Sequence, residues 1–186
     1  MKKATLILLL AAAILTAQGD ALGDTGTPSF NVLLAGGAEP NQIHIWLMPD
    51  GRNYVIDSIG RLEVGGSVCA HPEGQENELV CQATMISGFE VNADGGADTV
   101  WVDKNVSISV TMRGGPGNDQ LIGGAGHDKL IGGAGNDRLV GGAGADALYG
   151  GPGRDILLGG PGDDLLRGGP GFDVIPRGPG RNSIHQ

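Results

Sequence analysis

Aromatic side chains and cysteines are scarce in this chain. Of its 186 residues, aromatic residues make up 4%, and there are 2 cysteines. So few large side chains cannot fill the interior of a conventional globular domain. Two thiols are also too few for a zinc site with four protein ligands, and they lack the C-x-x-C spacing of a redox pair. A bridge between Cys69 and Cys81 is the simplest use of both, and it suits an exported protein.

Signatures of catalysis are missing as well. The sequence contains no H-E-x-x-H, G-x-S-x-G or G-x-x-x-x-G-K-[ST] pattern and no EF-hand loop. The 4 histidines lie far apart and share no motif. We therefore expect a protein that is not an enzyme. A small secreted hydrolase with an unrecognised site in residues 22–113 is the alternative, but no nucleophile and base can be assembled there.

Positive charge is in short supply. The chain has 12 basic and 21 acidic residues, for a formal net charge of −9. This balance argues against nucleic acid and anionic membrane surfaces as partners, because both repel a negative protein. A cation is the better-matched partner.

The N-terminal residues have the three-part pattern of a signal peptide. Lys2 and Lys3 precede the uncharged apolar stretch Ala4–Thr16, and small residues follow it. This stretch is shorter than the roughly 20 residues that span a membrane, which disfavours a retained anchor. The sequence predicts a signal peptide over residues 1–21 and a secreted, extracellular protein.

The rest of the chain before the repeats reads as short strands separated by turns. Residues 22–92 predict a small β-rich N-terminal region, and residues 93–113 a degenerate repeat with transition strands. After the repeats, residues 177–186 predict a flexible tail. The expected strands in the N-terminal region are Phe30–Leu34, Ile43–Met48, Tyr54–Ile56, Leu62–Val64, Leu79–Gln82 and Phe89–Val91.

Glycine is abundant, with 36 residues, and between residues 114 and 176 it is strictly phased. Seven nonapeptides of the pattern G-G-x-G-x-D-x-(Leu/Ile)-x follow one another without a gap. Such phasing distinguishes an ordered repeat from a disordered low-complexity tail. The nonapeptides begin at Gly114, Gly123, Gly132, Gly141, Gly150, Gly159 and Gly168.

Each nonapeptide combines a turn with a short strand. Glycines permit the positive φ values of a tight turn and leave carbonyl oxygens exposed, while the aspartate at position six adds a carboxylate. Such hard oxygen ligands suit Ca²⁺. We expect the ligands to be the aspartates Asp119, Asp128, Asp137, Asp146, Asp155, Asp164 and Asp173. With them we place the glycines of positions two and four, Gly115, Gly117, Gly124, Gly126, Gly133, Gly135, Gly142, Gly144, Gly151, Gly153, Gly160 and Gly162.

Two nonapeptides make one coil, so turns stack on turns two repeats away. The predicted fold is all-β, a parallel β-roll or β-solenoid, preceded by the small N-terminal β layer. The first column of aspartates is then Asp119, Asp137, Asp155 and Asp173. The second column is Asp128, Asp146 and Asp164. Because stacked carboxylates repel one another, we expect calcium binding and folding of the roll to be one event.

The repeat block resembles the hemolysin-type calcium-binding repeat of RTX proteins, and the region before it resembles, more weakly, the leader of small exported bacterial repeat proteins. The resemblance implies that each Ca²⁺ lies between two stacked turns. The first column then offers three sites and the second column two, so about five ions is the upper limit. Asn and Asp are the usual residues of that family at position five, and Arg154 and Phe172 depart from them.

Apolar residues also occur where the strands face outward. Ile122, Val140 and Leu158 share position nine on alternate repeats, and Ile156 and Val174 add apolar surface at position seven. A contiguous stripe of this kind is typical of a covered or self-associating face. From the repeats we expect a secreted calcium-binding protein with a structural or surface role. The alternative is an adhesin or matrix module that uses the roll or the N-terminal layer, with self-association or a cell-surface or matrix partner.

Overall fold

The computed structural model describes residues 16–17, 30–58, 69–75 and 77–186. The predicted signal peptide lies outside these residues except for Thr16–Ala17, and so does the expected strand Leu62–Val64. The described part consists of strands and turns with one 3-10 helix, Ala83–Met85. The strands are β1 Thr16–Ala17, β2 Phe30–Ala35, β3 Gln42–Leu47, β4 Asn53–Ser58, β5 Cys69–Ala70, β6 Glu78–Gln82, β7 Ile86–Asn92, β8 Thr99–Val102, β9 Ser109–Pro116, β10 Gln120–Ile122, β11 Lys129–Ala134, β12 Arg138–Val140, β13 Ala147–Tyr149, β14 Ile156–Leu158, β15 Leu165–Arg167 and β16 Ser183–His185.

The strands form two sheets that face each other across one core. Sheet 1 has the order β1-β2-β7-β9-β11-β13-β15-β16, and sheet 2 has the order β14-β12-β10-β8-β3-β4-β6-β5. From β7 to β15 the chain alternates between the sheets, and each strand pairs in parallel with the strand one coil away. The prediction of an all-β parallel roll is confirmed.

The register of the repeats follows the expected coil of two nonapeptides. Leu121 pairs with Leu139, and Leu139 pairs with Leu157, so equivalent positions lie directly above one another. The side chain at position eight points inward because alternate strand residues face opposite sides of a sheet. These leucines form the centre of the core at 0% exposure: Leu121, Leu130, Leu139, Leu148, Leu157 and Leu166.

The solenoid begins well before the first glycine repeat. Strands β2 and β3 form one coil, and β7 and β8 form the next. Leu34 pairs with Val91 in sheet 1, and Ile43 pairs with Val100 in sheet 2. All four side chains are buried in the same apolar cluster as the repeat leucines. The N-terminal β region is therefore continuous with the roll in both sheets and in the core.

An antiparallel excursion between these two coils closes the N-terminal end of sheet 2. Strands β4, β6 and β5 follow β3 outward, and each pairs antiparallel with its neighbour. The Cys69–Cys81 disulfide joins β5 to β6, as predicted. Tyr54 packs edge-on against Phe89, with ring centroids 5.3 Å apart, so this excursion is anchored to the core of the roll.

The C-terminal residues also continue the solenoid. Where the sequence led us to expect a flexible tail, β16 pairs in parallel with β15, and Ile184 lies opposite Leu166. The segment 177–185 is in fact in phase with the repeats, with Asn182 at position six and Ile184 at position eight. Within the described residues, no helix has the length and apolar character needed to cross a membrane.

Candidate metal centre

The position-six aspartates connect each coil to the next through one carboxylate oxygen. The backbone N–H of Asp119 donates to Oδ1 of Asp137 over 2.8 Å, and the N–H of Asp137 donates to Oδ1 of Asp155 over 2.8 Å. In the second column, the N–H of Asp146 donates to Oδ1 of Asp164 over 3.0 Å. Both predicted columns are therefore present, and each is held by a continuous hydrogen-bond ladder.

The other carboxylate oxygen has no partner along most of each column. Oδ2 is buried and accepts no hydrogen bond in the described part of the chain at Asp98, Asp119, Asp137, Asp146, Asp155, Asp164 and Asp173. The first six of these residues are at most 2% exposed. A buried carboxylate oxygen without a partner costs free energy unless a cation or a donor neutralises it. The columns are thus two rows of unsatisfied negative oxygens.

Glycine serves two different purposes in each turn. At positions two and four the backbone has positive φ, as at Gly133 (118°) and Gly135 (141°), and an added Cβ would strike the carbonyl group of the coil before. At position one, φ is not positive, but an added Cβ on Gly114 would lie 2.7 Å from the carbonyl oxygen of Gly132. That Cβ would lie closer still to Oδ2 of Asp119.

The space beside each position-one glycine is therefore an oxygen-lined cradle. It lies between the carboxylate of its own turn and the position-one carbonyl of the next coil. The same arrangement recurs at Gly132, where an added Cβ would meet Asp137 and lie 2.8 Å from the carbonyl oxygen of Gly150. The position-one carbonyls were not among the ligands expected from the sequence. The feature of the sequence that pointed to them is the glycine at position one of all seven nonapeptides. A positive φ does not account for this glycine, whereas the lack of space for a Cβ does.

The environment of the columns disfavours negative charge. The pKa of Asp137 and of Asp146 is raised to about 6, mainly because burial penalises the charged form; a backbone hydrogen bond lowers each pKa, and neighbouring carboxylates of the same column raise it. Burial also raises the pKa of the remaining carboxylates for which a shift is resolved, Asp119, Asp128, Asp155 and Asp164. A bound cation would reverse this tendency, because it favours the charged form.

Asp128, which starts the second column, departs from the pattern. Its Oδ2 accepts a hydrogen bond from the backbone N–H of Gly124 over 3.0 Å. Gly124 and Gly126 do not have positive φ, in contrast to their counterparts in later turns. The turn stacked before them, 103–108, contains no glycine. Val110 stands at the position-six level of that coil and donates its N–H to Oδ1 of Asp128 over 2.8 Å.

Position-five side chains link the turns on their exposed side. Asn118 Oδ1 accepts from the N–H of Asn136 over 2.8 Å, and Asn136 Oδ1 accepts from the N–H of Arg154 over 2.9 Å. His127 Nδ1 accepts from the N–H of Ala145 over 2.8 Å. An acceptor at position five therefore continues a second ladder. Arg154 and Phe172 cannot accept such a bond.

Two asparagines extend the columns where the sequence analysis saw no repeat. Asn41 donates its N–H to Oδ1 of Asp98 over 2.6 Å, in the same way that repeat aspartates bond to the next coil. At the other end, Asn182 Oδ1 accepts from the N–H of Asp164 over 3.0 Å. The detectable signal was an Asn two residues before an apolar residue, after a pair of glycines or a Gly-Pro-Gly.

The donor set of the columns fits calcium. Within the described residues, no three side chains of His, Cys, Asp or Glu converge as a metal cluster. Any ion in a column must therefore take backbone carbonyl oxygens together with carboxylates. Ca²⁺ accepts six to eight oxygen ligands of both kinds, whereas transition metals prefer nitrogen and sulfur. The aspartates, with the adjacent glycine carbonyls, are the groups that would hold it.

Fold and site together define a β-solenoid with two columns of stacked carboxylates whose chemistry suits cations. Residues 113–148 and 140–175 match the family of the RTX calcium-binding nonapeptide repeat (4 copies). This part of the chain is thus an RTX calcium-binding repeat block, as the sequence resemblance predicted. No curated protein and no solved structure matches the chain.

Proposed function

We propose that this chain is an exported calcium-binding protein with a structural or surface role, whose roll becomes ordered on binding Ca²⁺. The buried, unpartnered Oδ2 atoms of the two columns carry this proposal. Strands about 4.8 Å apart hold successive carboxylates close together, and a divalent cation supplies the positive charge that this arrangement needs. Without that charge, the apolar seam of one leucine or isoleucine per repeat must offset both the repulsion and the backbone entropy of the glycines.

Export is supported by the N-terminal sequence and by the disulfide. The basic Lys2 and Lys3, followed by the apolar stretch Ala4–Thr16, have the pattern of a secretory signal. Disulfides persist in oxidising compartments, and Cys69 is bonded to Cys81. Outside cells calcium is abundant, so a roll with this dependence would be stiff after export and poorly ordered before it.

Calcium titration of the mature chain tests the proposal. Far-ultraviolet circular dichroism in excess chelator is expected to show a weak strand signal that increases on adding Ca²⁺. Isothermal titration is expected to give several bound ions per chain. A full strand signal in chelator together with no bound ion would contradict the proposal. Mg²⁺ at the same concentration serves as the control, because it demands a small octahedral site and dehydrates reluctantly.

A second candidate function is an interaction module, for which the outer face of sheet 2 gives a specific observation. Trp101, Ile122, Val140 and Leu158 pair successively across neighbouring coils and form one continuous row, half-buried along its length. His44 continues the row and stacks on Trp101, with ring centroids 4.4 Å apart. An aligned row of large apolar side chains on a sheet is a typical docking surface for a second chain.

Light scattering coupled to size-exclusion chromatography in calcium tests this candidate. If the row joins two copies of the chain, the wild type elutes as a dimer and Ile122→Thr shifts it toward the monomer. Ile131→Thr is the matched control, because Ile131 is the position-nine residue of the next repeat and faces outward from sheet 1. A monomeric wild type at high concentration would remove self-association as the function of this row.

A further inference from the structure

The turn 93–98 lies outside the repeats but has the backbone arrangement of a repeat turn. The N–H of Gly96 donates to the carbonyl of Pro116 over 3.1 Å, as the N–H of Gly117 does to Ala134 over 2.8 Å. The N–H of Gln120 donates to the carbonyl of Asp98 over 2.8 Å. The turn thus stacks on the turn 114–119 with the bonding pattern that successive repeats use.

Even the unusual backbone of the repeat turn is reproduced there. Asp94 stands at position two, where the repeats have glycine, and its φ is 72°. It is the non-glycine residue with positive φ in the described chain. Asp is among the few residues that tolerate this conformation, although at some cost. The carbonyl oxygen of Asp94 faces Gly115 in the way that the carbonyl oxygen of Gly115 faces Gly133.

The carboxylate of this turn is in the same state as those of the repeats. Asp98 is 1% exposed, and its N–H donates to Oδ1 of Asp119 over 2.8 Å. Its Oδ1 accepts from Asn41, while its Oδ2 is buried with no partner. The position-one residue of the next coil is Gly114, whose carbonyl corresponds to that of Gly132 beside Asp119.

In the coil before it, a side-chain amide takes the place that a cation would have in the repeats. Asn41 stands at position six of the turn 36–41, and its amide nitrogen takes the place of a carboxylate oxygen. This nitrogen donates to the carbonyl oxygen of Ala93, the position-one residue of the next coil, over 3.0 Å, and to Oδ1 of Asp98 over 3.0 Å. The Asn41 amide therefore donates hydrogen bonds to both of these oxygens. In the repeats, the corresponding position holds a carboxylate oxygen, which can only accept. The first column therefore ends at Asn41, and Asp98 is the first residue of the column with a buried carboxylate oxygen that has no partner.

We propose that Asp98 provides a calcium site upstream of the nonapeptide repeats, between the turns 93–98 and 114–119. This inference rests on the proposed calcium binding of the repeats and adds a site to it. Ala93 carries a methyl group where the repeats have the position-one glycine, so the space beside Asp98 is smaller. The Asp98 site should therefore bind calcium more weakly than a site with glycine at position one. It connects the calcium-bound repeats to a coil that the Asn41 amide holds without metal.

Native mass spectrometry of the full chain at saturating Ca²⁺ tests the site by counting ions. Asp98→Asn is expected to bind one ion fewer than the wild type, because the amide can imitate Asn41 and keep the fold. Asp50→Asn is the matched control, since it removes the same charge from an exposed turn away from the column, keeps an oxygen that can accept the N–H of Arg52, and is expected to leave the count unchanged. Equal counts for Asp98→Asn and the wild type, or one ion lost from both variants, would overturn the proposal.

A second variant decides the matter if Asp98→Asn loses its strand signal or more than one ion. Ala93→Gly restores the repeat residue at position one and is expected to tighten one bound ion severalfold, as measured by isothermal titration. Unchanged affinities for all ions would then overturn the site. A wild type that binds no calcium would instead refute the function proposed for the repeats, and this site with it.

Discussion

The backbone N–H of Asp119 donates to Oδ1 of Asp137, one coil further along, over 2.8 Å. The same carboxylate leaves its Oδ2 buried and unpartnered. One oxygen thus holds the previous coil by a hydrogen bond, while the other is available to bind a cation. The ordering of successive coils and the binding of calcium in the column are therefore coupled through a single side chain. Removing one carboxylate charge should therefore affect calcium binding and metal-free stability in opposite directions.

Asp146 in the middle of the second column is the best position to test this coupling. Asp146→Asn keeps an oxygen that can accept the N–H of Asp128 but replaces the charged Oδ2 by an amide donor. We expect at least one fewer bound ion in isothermal titration. In chelator, we expect the strand signal in circular dichroism to be at least as large as that of the wild type, because repulsion along the column is reduced.

Asp163→Asn is the control for this substitution. Asp163 lies next to the second column, at position five, and is exposed, and its Oδ1 accepts from the N–H of Arg181 over 2.8 Å. An asparagine can accept the same bond, so neither the ion count nor the strand signal in chelator should change. An equal loss of calcium from both variants would show that net charge, rather than the buried column, governs binding.

Glycine at position two should be irreplaceable for a reason of space as well as backbone conformation. Gly133 has a φ of 118°, and an added Cβ would collide with the carbonyl oxygen of Gly115. We expect Gly133→Ala to lower the calcium-bound stability by at least about 2–3 kcal/mol, measured by urea unfolding. Gly37→Ala should change stability by less than about 0.5 kcal/mol, because nothing lies within 4 Å of that added atom. Similar losses in both would contradict the stacked-carbonyl arrangement.

The parallel roll and its two aspartate columns could be predicted because their signal is periodic. A nine-residue phase places every aspartate and every inward leucine at a fixed level of the stack, so no knowledge of distant contacts is needed. The expected strands in the N-terminal region were also correct where the structure describes them, because apolar runs between turn residues mark short strands well.

What the sequence analysis missed depends on contacts between distant segments. Asn41 joins the first column only because β3 pairs with β8 across the β4–β6 excursion, and this pairing has no periodic signal. The hydrogen bond from Gly124 to Asp128 depends on the glycine-free turn stacked before it. The role of Asn182 could have been predicted from the sequence, since its segment keeps the nine-residue phase. The segment departs from the repeat pattern at two defined positions, with Arg177 in place of glycine and Asn182 in place of aspartate.

The disulfide is expected to stabilise the N-terminal end without affecting the columns. Cys69 and Cys81 join β5 to β6 at the edge of sheet 2, away from the aspartates. Reduction should lower stability by about 3 kcal/mol in the chain-entropy view, seen as a lower thermal midpoint. The calcium stoichiometry measured by titration should be the same before and after reduction. A loss of bound ions on reduction would mean that the two ends of the solenoid order together.

Acidity should have opposite effects with and without calcium. In the metal-free roll the pKa of Asp137 and Asp146 is about 6, above the ordinary value of 3.8, because burial penalises the charged form. The folded state therefore holds more protons than the unfolded chain between these values. The associated stability, on the order of 2–3 kcal/mol for each carboxylate, is fully present below about pH 4 and is lost as the pH rises through 6.

In chelator, the strand signal in circular dichroism should thus increase as the pH falls from 7 to 5. In calcium, the same change should weaken binding, because protons compete for the carboxylates that hold the ion. A chelated chain whose strand signal falls on acidification would show that the columns are not assembled without metal.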